Sequence, residues 1–240
     1  MHHSIEVEDL HYSYPDGHVA LRGATLSIAP GEKVALLGPN GAGKSTLILH
    51  LNGILKPASG KVRVCGIDVP NCSKSDLTKV RASVGLVFQQ PDDQLFSPTV
   101  FDDVVFGPIY QGLSESEVRV RVREALAAVK MSDYADRVSH HLSVGQKKRI
   151  AIATVLSMKP ELLVLDEPTA GLDPRGRREL MHLLHELPQT MLISTHDLAM
   201  VRELLPRTIV MEGGRVVAAG ATSEILADEA LLAAHGLEKP

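Results

Sequence analysis

Short apolar runs alternate with helix-spaced segments along most of the chain. Ile5 to Tyr14 and Ala24 to Ile28 read as strands parted by a turn at Pro15-Asp16-Gly17. Pro30-Gly31 turns the chain into Val34 to Leu37, a run of the length and character of a strand buried on both faces. Lys61 to Val64 alternates apolar and polar positions, and Val84 to Phe88 is another short apolar run. Ser114 with Glu117 predicts a capping box opening a helix. In that helix Val118, Val122, Ala125, Leu126 and Val129 share one face, while Arg119 and Arg123 point away. Helix-like spacing persists to about Met158. Two further apolar runs, Leu162 to Leu165 and Met191 to Thr195, flank an amphipathic segment, Arg177 to Leu187, with Leu180, Leu183, Leu184 and Leu187 inward. Thr208 to Ala219 resembles a hairpin across Gly213-Gly214, and residues 222–236 read as a helical tail.

Strands buried on both faces between helices imply a parallel sheet. The fold class expected is therefore α/β: a parallel core, an antiparallel β portion at the N-terminus and an inserted helical subdomain at about 90–158. With 240 residues, one domain spanning 1–240 with a short helical tail at about 222–240 is expected.

Composition narrows the classes of function. Hydrophobic residues make up 44% of the chain, yet its uncharged apolar stretches fall well short of a membrane span, and no signal-peptide pattern opens it. A net charge of -4 and only 3% aromatic residues, with no Trp, argue against nucleic acid as a partner. Cys65 and Cys72 lack ligand-like neighbours and read as two reduced thiols. His2 and His3 are assigned nothing.

The chemistry concentrates in Gly38-Pro39-Asn40-Gly41-Ala42-Gly43-Lys44-Ser45-Thr46, which fits G-x-x-x-x-G-K-[ST] between a strand and a helix. Such a loop aims successive backbone N–H groups and a positive helix end at a polyphosphate. Lys44 is expected to neutralise the β- and γ-phosphate oxygens of a nucleotide, and the Ser45 hydroxyl to ligate Mg2+. Leu162 to Leu165 runs into Asp166 and Glu167, at the sheet edge where ligands bind. Asp166 suits the magnesium shell, and Glu167 is free to act as general base on a water facing the γ-phosphate. Ser143, at a helix start after Leu142 and before Val144, Gly145 and Gln146, offers a second anion site, although serine there is commonly a cap alone. His196 follows Ser194-Thr195 at a strand end, within reach of a γ-phosphate.

In this order the motifs resemble the ATPase subunit of ATP-binding cassette (ABC) transporters over essentially the whole length. Walker A is Gly38 to Thr46, the Q-loop glutamine matches Gln89, and the signature matches Leu142 to Gln146 with its basic trailer. Walker B ends at Asp166 and Glu167, the D-loop matches Ala170 to Asp173, and the switch histidine is His196. The resemblance implies a P-loop NTPase core and a Tyr14 that stacks on adenine. It also implies a Gln89 that touches magnesium or water, and a pair of ATPase subunits in which Walker A of one and Ser143, Gly145 and Gln146 of the other hold each ATP; with both half-sites in this chain a homodimer suffices, a paralogous partner being the alternative. Val144 stands where the family has glycine, so its Cβ is expected to narrow the backbone choices beside the phosphate.

Gln90 to Pro108 and the ending around His235 to Pro240 resemble the ATPases of energy-coupling-factor importers, particularly the cobalt and nickel branch. That resemblance implies a membrane scaffold, a substrate-binding membrane subunit and a peripheral place on the cytoplasmic face of the membrane. It also implies a groove for a scaffold helix, with Leu95, Phe96, Val100, Phe101 and Phe106 as candidates for lining it, core packing being the equal alternative. A vitamin such as biotin is the alternative cargo. A soluble ABC ATPase working on nucleic acid or ribosomes would favour fused cassettes, coiled coils or a basic surface. A non-hydrolysing regulatory module is opposed by Glu167 and His196. His140 and His141 are not read as a metal route, since the ion crosses through membrane subunits.

Overall fold

The computed structural model describes residues 3–237; His2 and residues 238–240 of the predicted tail lie outside them. The chain opens with β1 (Ile5–Ser13) and β2 (Val19–Ile28), antiparallel partners as the turn at Gly17 requires. β3 (Lys33–Leu37) feeds the glycine-rich loop, and α1 (Lys44–Leu51) leaves it. β4 (Ser59–Val64) and β5 (Ile67–Asp68) then complete a four-stranded antiparallel sheet in the order β2-β1-β4-β5.

α2 (Lys74–Ser83) follows, capped by Ser73 and with Val80 its only buried residue, and leads into β6 (Val84–Val87). So polar a segment carries almost no periodic signal, and sequence reading leaves it unassigned. α3 (Val100–Tyr110) is a helix ahead of the predicted start at Ser114, hidden in the sequence by Gly107 and Pro108 in its last turn. α4 (Glu115–Ala128) opens with the expected Ser114–Glu117 capping box and buries the expected stripe. α5 (Val144–Leu156) starts at the signature.

β7 (Leu162–Asp166), α6 (Pro174–Glu186), β8 (Thr190–Ser194), α7 (Leu198–Leu204), β9 (Arg207–Glu212) and β10 (Arg215–Ala221) follow in alternation, closing on the predicted hairpin. The tail is two short helices, α8 (Thr222–Ala227) and α9 (Glu229–Ala234), separated at Asp228, whose side chain caps the second.

The second sheet runs β10-β9-β3-β8-β7-β6, parallel except for the edge strand β10. Its strands are continuous apolar runs because successive side chains enter two different cores. Leu163 and Leu165 pack toward the helical layer with Val122, Ile150 and Leu184. Leu162 and Val164 pack with Ile5, Val34 and α1 residues Leu47 and Leu51. Register then places the chemistry: Leu36 and Asp166 both pair with Ser194, and Val87 pairs with Leu165. The carboxyl ends of β3, β6, β7 and β8 therefore lie level, bringing the loop after Leu37, Gln89, Glu167 and His196 to one edge.

Candidate functional site: a phosphate loop beside a paired carboxylate

At that edge a cavity of about 280 Å³ is lined by His18, Ala20, Asn40, Gly41, Ala42, Gly43, Lys44, Ser45, Thr46, Gln89, Asp166, Glu167 and His196. The loop conformation depends on glycine where space is absent. A Cβ on Gly38 would collide with the Met211 carbonyl oxygen of β9, and one on Gly43, at φ +97°, would lie 2.7 Å from the Ala20 carbonyl oxygen. Gly214 of the β9–β10 hairpin steadies the loop by donating its N–H to the Ala42 carbonyl at 3.1 Å.

Gly43 is the N-cap of α1, with no side-chain cap and no acidic residue in the first turn. Its leading amides therefore point into the cavity without an internal acceptor. Lys44 is buried, and its ammonium donates to the carbonyls of Gly38 (2.7 Å) and Pro39 (3.1 Å). Burial lowers the Lys44 pKa, while the negative charges of Glu167 and Asp166 oppose that shift. A buried cation resting on neutral carbonyls beside an uncapped helix end fits a polyanionic ligand.

The Ser45 hydroxyl donates to Asp166 Oδ2 at 2.7 Å. These are adjacent hard oxygens, and with Gln89 they form the set available to a magnesium ion whose remaining ligands come from phosphate and water. Glu167 is buried, with its Oε1 2.9 Å from Nδ1 of His196 and its Oε2 accepting from Thr195 Oγ1 at 3.3 Å. The next residue, Asp197, is gripped by both arms of Arg177 (2.6 and 2.9 Å), which holds its carboxyl below the usual range against the burial that raises it. That clamp fixes the start of α7, and so the loop carrying Thr195 and His196. Glu167 itself has φ +45°, rare for a side chain other than glycine, and precedes Pro168.

Tyr14 is placed differently from the other predicted nucleotide contacts. Its hydroxyl lies 3.0 Å from Thr46 Oγ1 and its ring stacks with His18 at 6.4 Å, but His18 lines the cavity and Tyr14 does not. No sequence signal singles out His18, an exposed polar residue after a turn.

Ser143, Gly145 and Gln146 lie in a second cavity of about 580 Å³, with Val144, Tyr134 and the D-loop residues Gly171, Leu172 and Asp173. The two cavities share no lining residue. Ser143 is a true N-cap: its Oγ accepts from the Gln146 N–H (3.3 Å), and Gln146 Oε1 accepts from the Ser143 N–H (2.9 Å). The Ser143 hydroxyl hydrogen and the amides of Val144 and Gly145 remain for an anion. Val144 is the first residue of the helix and has no positive φ, so its Cβ does not displace the backbone there.

The basic trailer after the signature divides three ways, because consecutive helical residues point about 100° apart. Lys147 pairs with Asp92 at 2.7 Å, beyond the Q-loop. Arg149 pairs with Glu179 of α6. Lys148 is buried and donates to the Glu167 carbonyl at 3.0 Å. Burial pulls its pKa down to about 8, partly countered by Glu167. Unfolded, the same ammonium holds its proton to about pH 10.4, so between these values the folded chain binds fewer protons and gains stability as pH rises. Urea melts should show the wild type gaining stability relative to Lys148→Met from about pH 8 to pH 10; a constant difference would contradict the shift.

Beside Gln89 an apolar groove of about 420 Å³ is lined by Phe88, Phe96, Phe106, Tyr110 and Met158, among others. Of the five candidates, Phe96 (67% exposed) and Phe106 (59%) do line it, edge to face with centroids 5.7 Å apart. Leu95 and Val100 are instead core residues, and Phe101 packs against that core; the turn of α3 separates Val100 from Phe106, while Leu95 and Phe96 diverge in the segment before that helix.

A glycine-rich loop cradling a helix start, with two carboxylates and a histidine level with it on a parallel sheet, defines a P-loop nucleotide hydrolase. The ABC transporter family model matches residues 21–170. Relatives include the energy-coupling factor transporter ATP-binding protein EcfA of Methanothermobacter thermautotrophicus, 53% identical over 98% of this chain and 76% of that protein. Among solved structures, cbiO1 of Clostridium perfringens, part of the ABC transporter complex cbiONQ, is 44% identical with a TM-score of 0.86 over 99% of this chain and 96% of that one. The dimeric ATP-binding cassette MJ0796, in a post-hydrolysis state with ADP and Pi, is 30% identical with a TM-score of 0.81, covering 91% and 98%. The chain belongs to the ATP-binding subunits of ABC transporters and is an ATPase.

Proposed function

We propose that this chain is one of two ATPase subunits that clamp ATP head to tail beneath an energy-coupling-factor importer. The observation that supports the clamp is that the phosphate-loop cavity and the signature cavity share no lining residue, so the two halves of the proposed composite site do not meet within one chain. A homodimer completes both sites. Lys44 and the amides of the loop take the β- and γ-phosphates, and Ser143, Gly145 and Gln146 reach the nucleotide held by the other subunit. Tyr14, outside the phosphate cavity but against its lining residues Thr46 and His18, is the aromatic for adenine.

A magnesium ion held by Ser45, Asp166 and Gln89 neutralises phosphate charge when bound. Glu167 accepts the proton of the attacking water, and His196, already hydrogen-bonded to it, holds the carboxylate on line and meets the γ-phosphate. Bridging phosphate favours the closed pair, and its loss on hydrolysis favours the open one. Gln89 shares a strand end with Phe88 of the groove, so nucleotide state and groove shape are linked through one short segment.

Among the described residues no helix is long and apolar enough to cross a membrane. The proposed place of the subunit is the cytoplasmic face, against its membrane partners. A membrane scaffold inserts a helix into the groove, and a separate membrane subunit captures cargo. EcfA among the relatives supports the importer type, and the likeness of residues 90–108 to the cobalt and nickel branch supports a metal ion as cargo, with a vitamin the alternative. Phe96→Asp with Phe106→Asp should abolish copurification of membrane proteins from detergent extract while shifting thermal unfolding by no more than a few degrees. Undiminished recovery of the same membrane proteins would overturn the groove assignment. Their identity reports the cargo class.

A further inference from the structure

Lys148 is an expensive residue to keep where it is: an ammonium enclosed by protein, with no carboxylate within ion-pairing distance among the described residues. Its hydrogen bond goes to the main chain of the residue proposed as the base. The Glu167 carbonyl accepts from two donors, Lys148 Nζ at 3.0 Å and the Ala170 N–H at 3.2 Å, while the Glu167 N–H donates to the Ser194 carbonyl at 2.8 Å. These bonds grip the residue on both sides of a backbone conformation that the following proline and the side chain both disfavour. From that left-handed turn the Glu167 carboxylate meets Thr195 and His196.

We propose that Lys148 is a positioning residue for ATP hydrolysis: its buried bond ties the signature helix to the peptide that sets the direction of the Glu167 carboxylate. α5 is capped by Ser143, which serves the nucleotide of the opposite subunit, so one helix joins the reading of one nucleotide to the aim of the base at the other. The lowered proton affinity of Lys148 agrees with its enclosure. Lys147 and Arg149, on either side, end on surface carboxylates and make no such link. The proposal rests on Glu167 being the base.

The test is a double-mutant cycle on the 240-residue chain. Lys148→Met keeps the length and removes the donor; kcat should fall roughly 10- to 100-fold, the scale expected when a reacting group is misaimed by about 1 Å. KM for ATP and the affinity for a fluorescent ATP analogue should stay within about twofold. In a Glu167→Gln background, the same substitution should change the residual single-turnover rate less than about twofold, because there is no base left to aim. An unchanged kcat in Lys148→Met, or an equal fold-loss in both backgrounds, overturns the proposal. Should the methionine variant unfold, Lys148→Leu, which also removes the donor, runs through the same cycle with the same criteria. Wild-type turnover by Glu167→Gln overturns the base assignment and this proposal with it. An inactive Glu167→Gln beside a fully active Lys148→Met overturns this proposal alone.

Discussion

Glu167→Gln should lower ATP turnover by roughly 10²- to 10⁴-fold, the range that a positioned general base contributes. Glutamine keeps the volume of the side chain and can keep hydrogen bonds to Thr195 and His196, so the cavity survives while the proton acceptor is lost. ATP affinity should therefore hold within a few-fold, and ATP with magnesium should convert the variant to a dimer that persists, because the bridging phosphate is not removed. Phosphate release and size-exclusion chromatography with light scattering read these two effects separately. Turnover at the wild-type rate would show that another group takes the proton. A variant that stays monomeric with ATP would instead count against the head-to-tail clamp.

Lys44→Ala should act one step earlier, on binding. The ammonium is buried, holds the Gly38 and Pro39 carbonyls, and lies where a polyphosphate would meet the end of α1. Losing a charge-assisted contact of this kind costs about 1.5–3 kcal/mol, or roughly 10- to 150-fold in affinity. The substitution also frees the two carbonyls that shape the loop, so the observed loss should reach or exceed the upper end. Titration with a fluorescent ATP analogue measures it directly, and unchanged affinity would remove the loop from the binding site. The two variants should differ in kind: Lys44→Ala fails to load nucleotide, whereas Glu167→Gln loads it and stalls.

Much of this was legible without coordinates. The loop motif, the carboxylates ending an apolar run and the alternation of buried strands with helices all rest on local pattern, and the structure places Lys44, Ser45, Asp166, Glu167, Gln89 and His196 around one cavity. The misses share a cause. α2 offers one buried residue to a periodic reading, and α3 carries Gly107 and Pro108, which read as a break although the first turns of the helix are sound. The groove candidates are five apolar residues in one short stretch; the turn of α3 sends Val100 inward and Phe106 outward, and ahead of the helix Leu95 turns inward and Phe96 outward.

Local pattern alone marks out the candidate phosphate groups and the order in which they arrive, because glycine spacing, strand ends and helix starts are set by neighbours along the chain. What each group touches is settled by long-range packing. Strand register levelled four separate loops into one site, and the turn of α5 sent three consecutive cations to three partners. Packing held Glu167 in a backbone conformation that its own sequence disfavours. Those outcomes depend on contacts between residues far apart in the chain, which local periodicity does not encode.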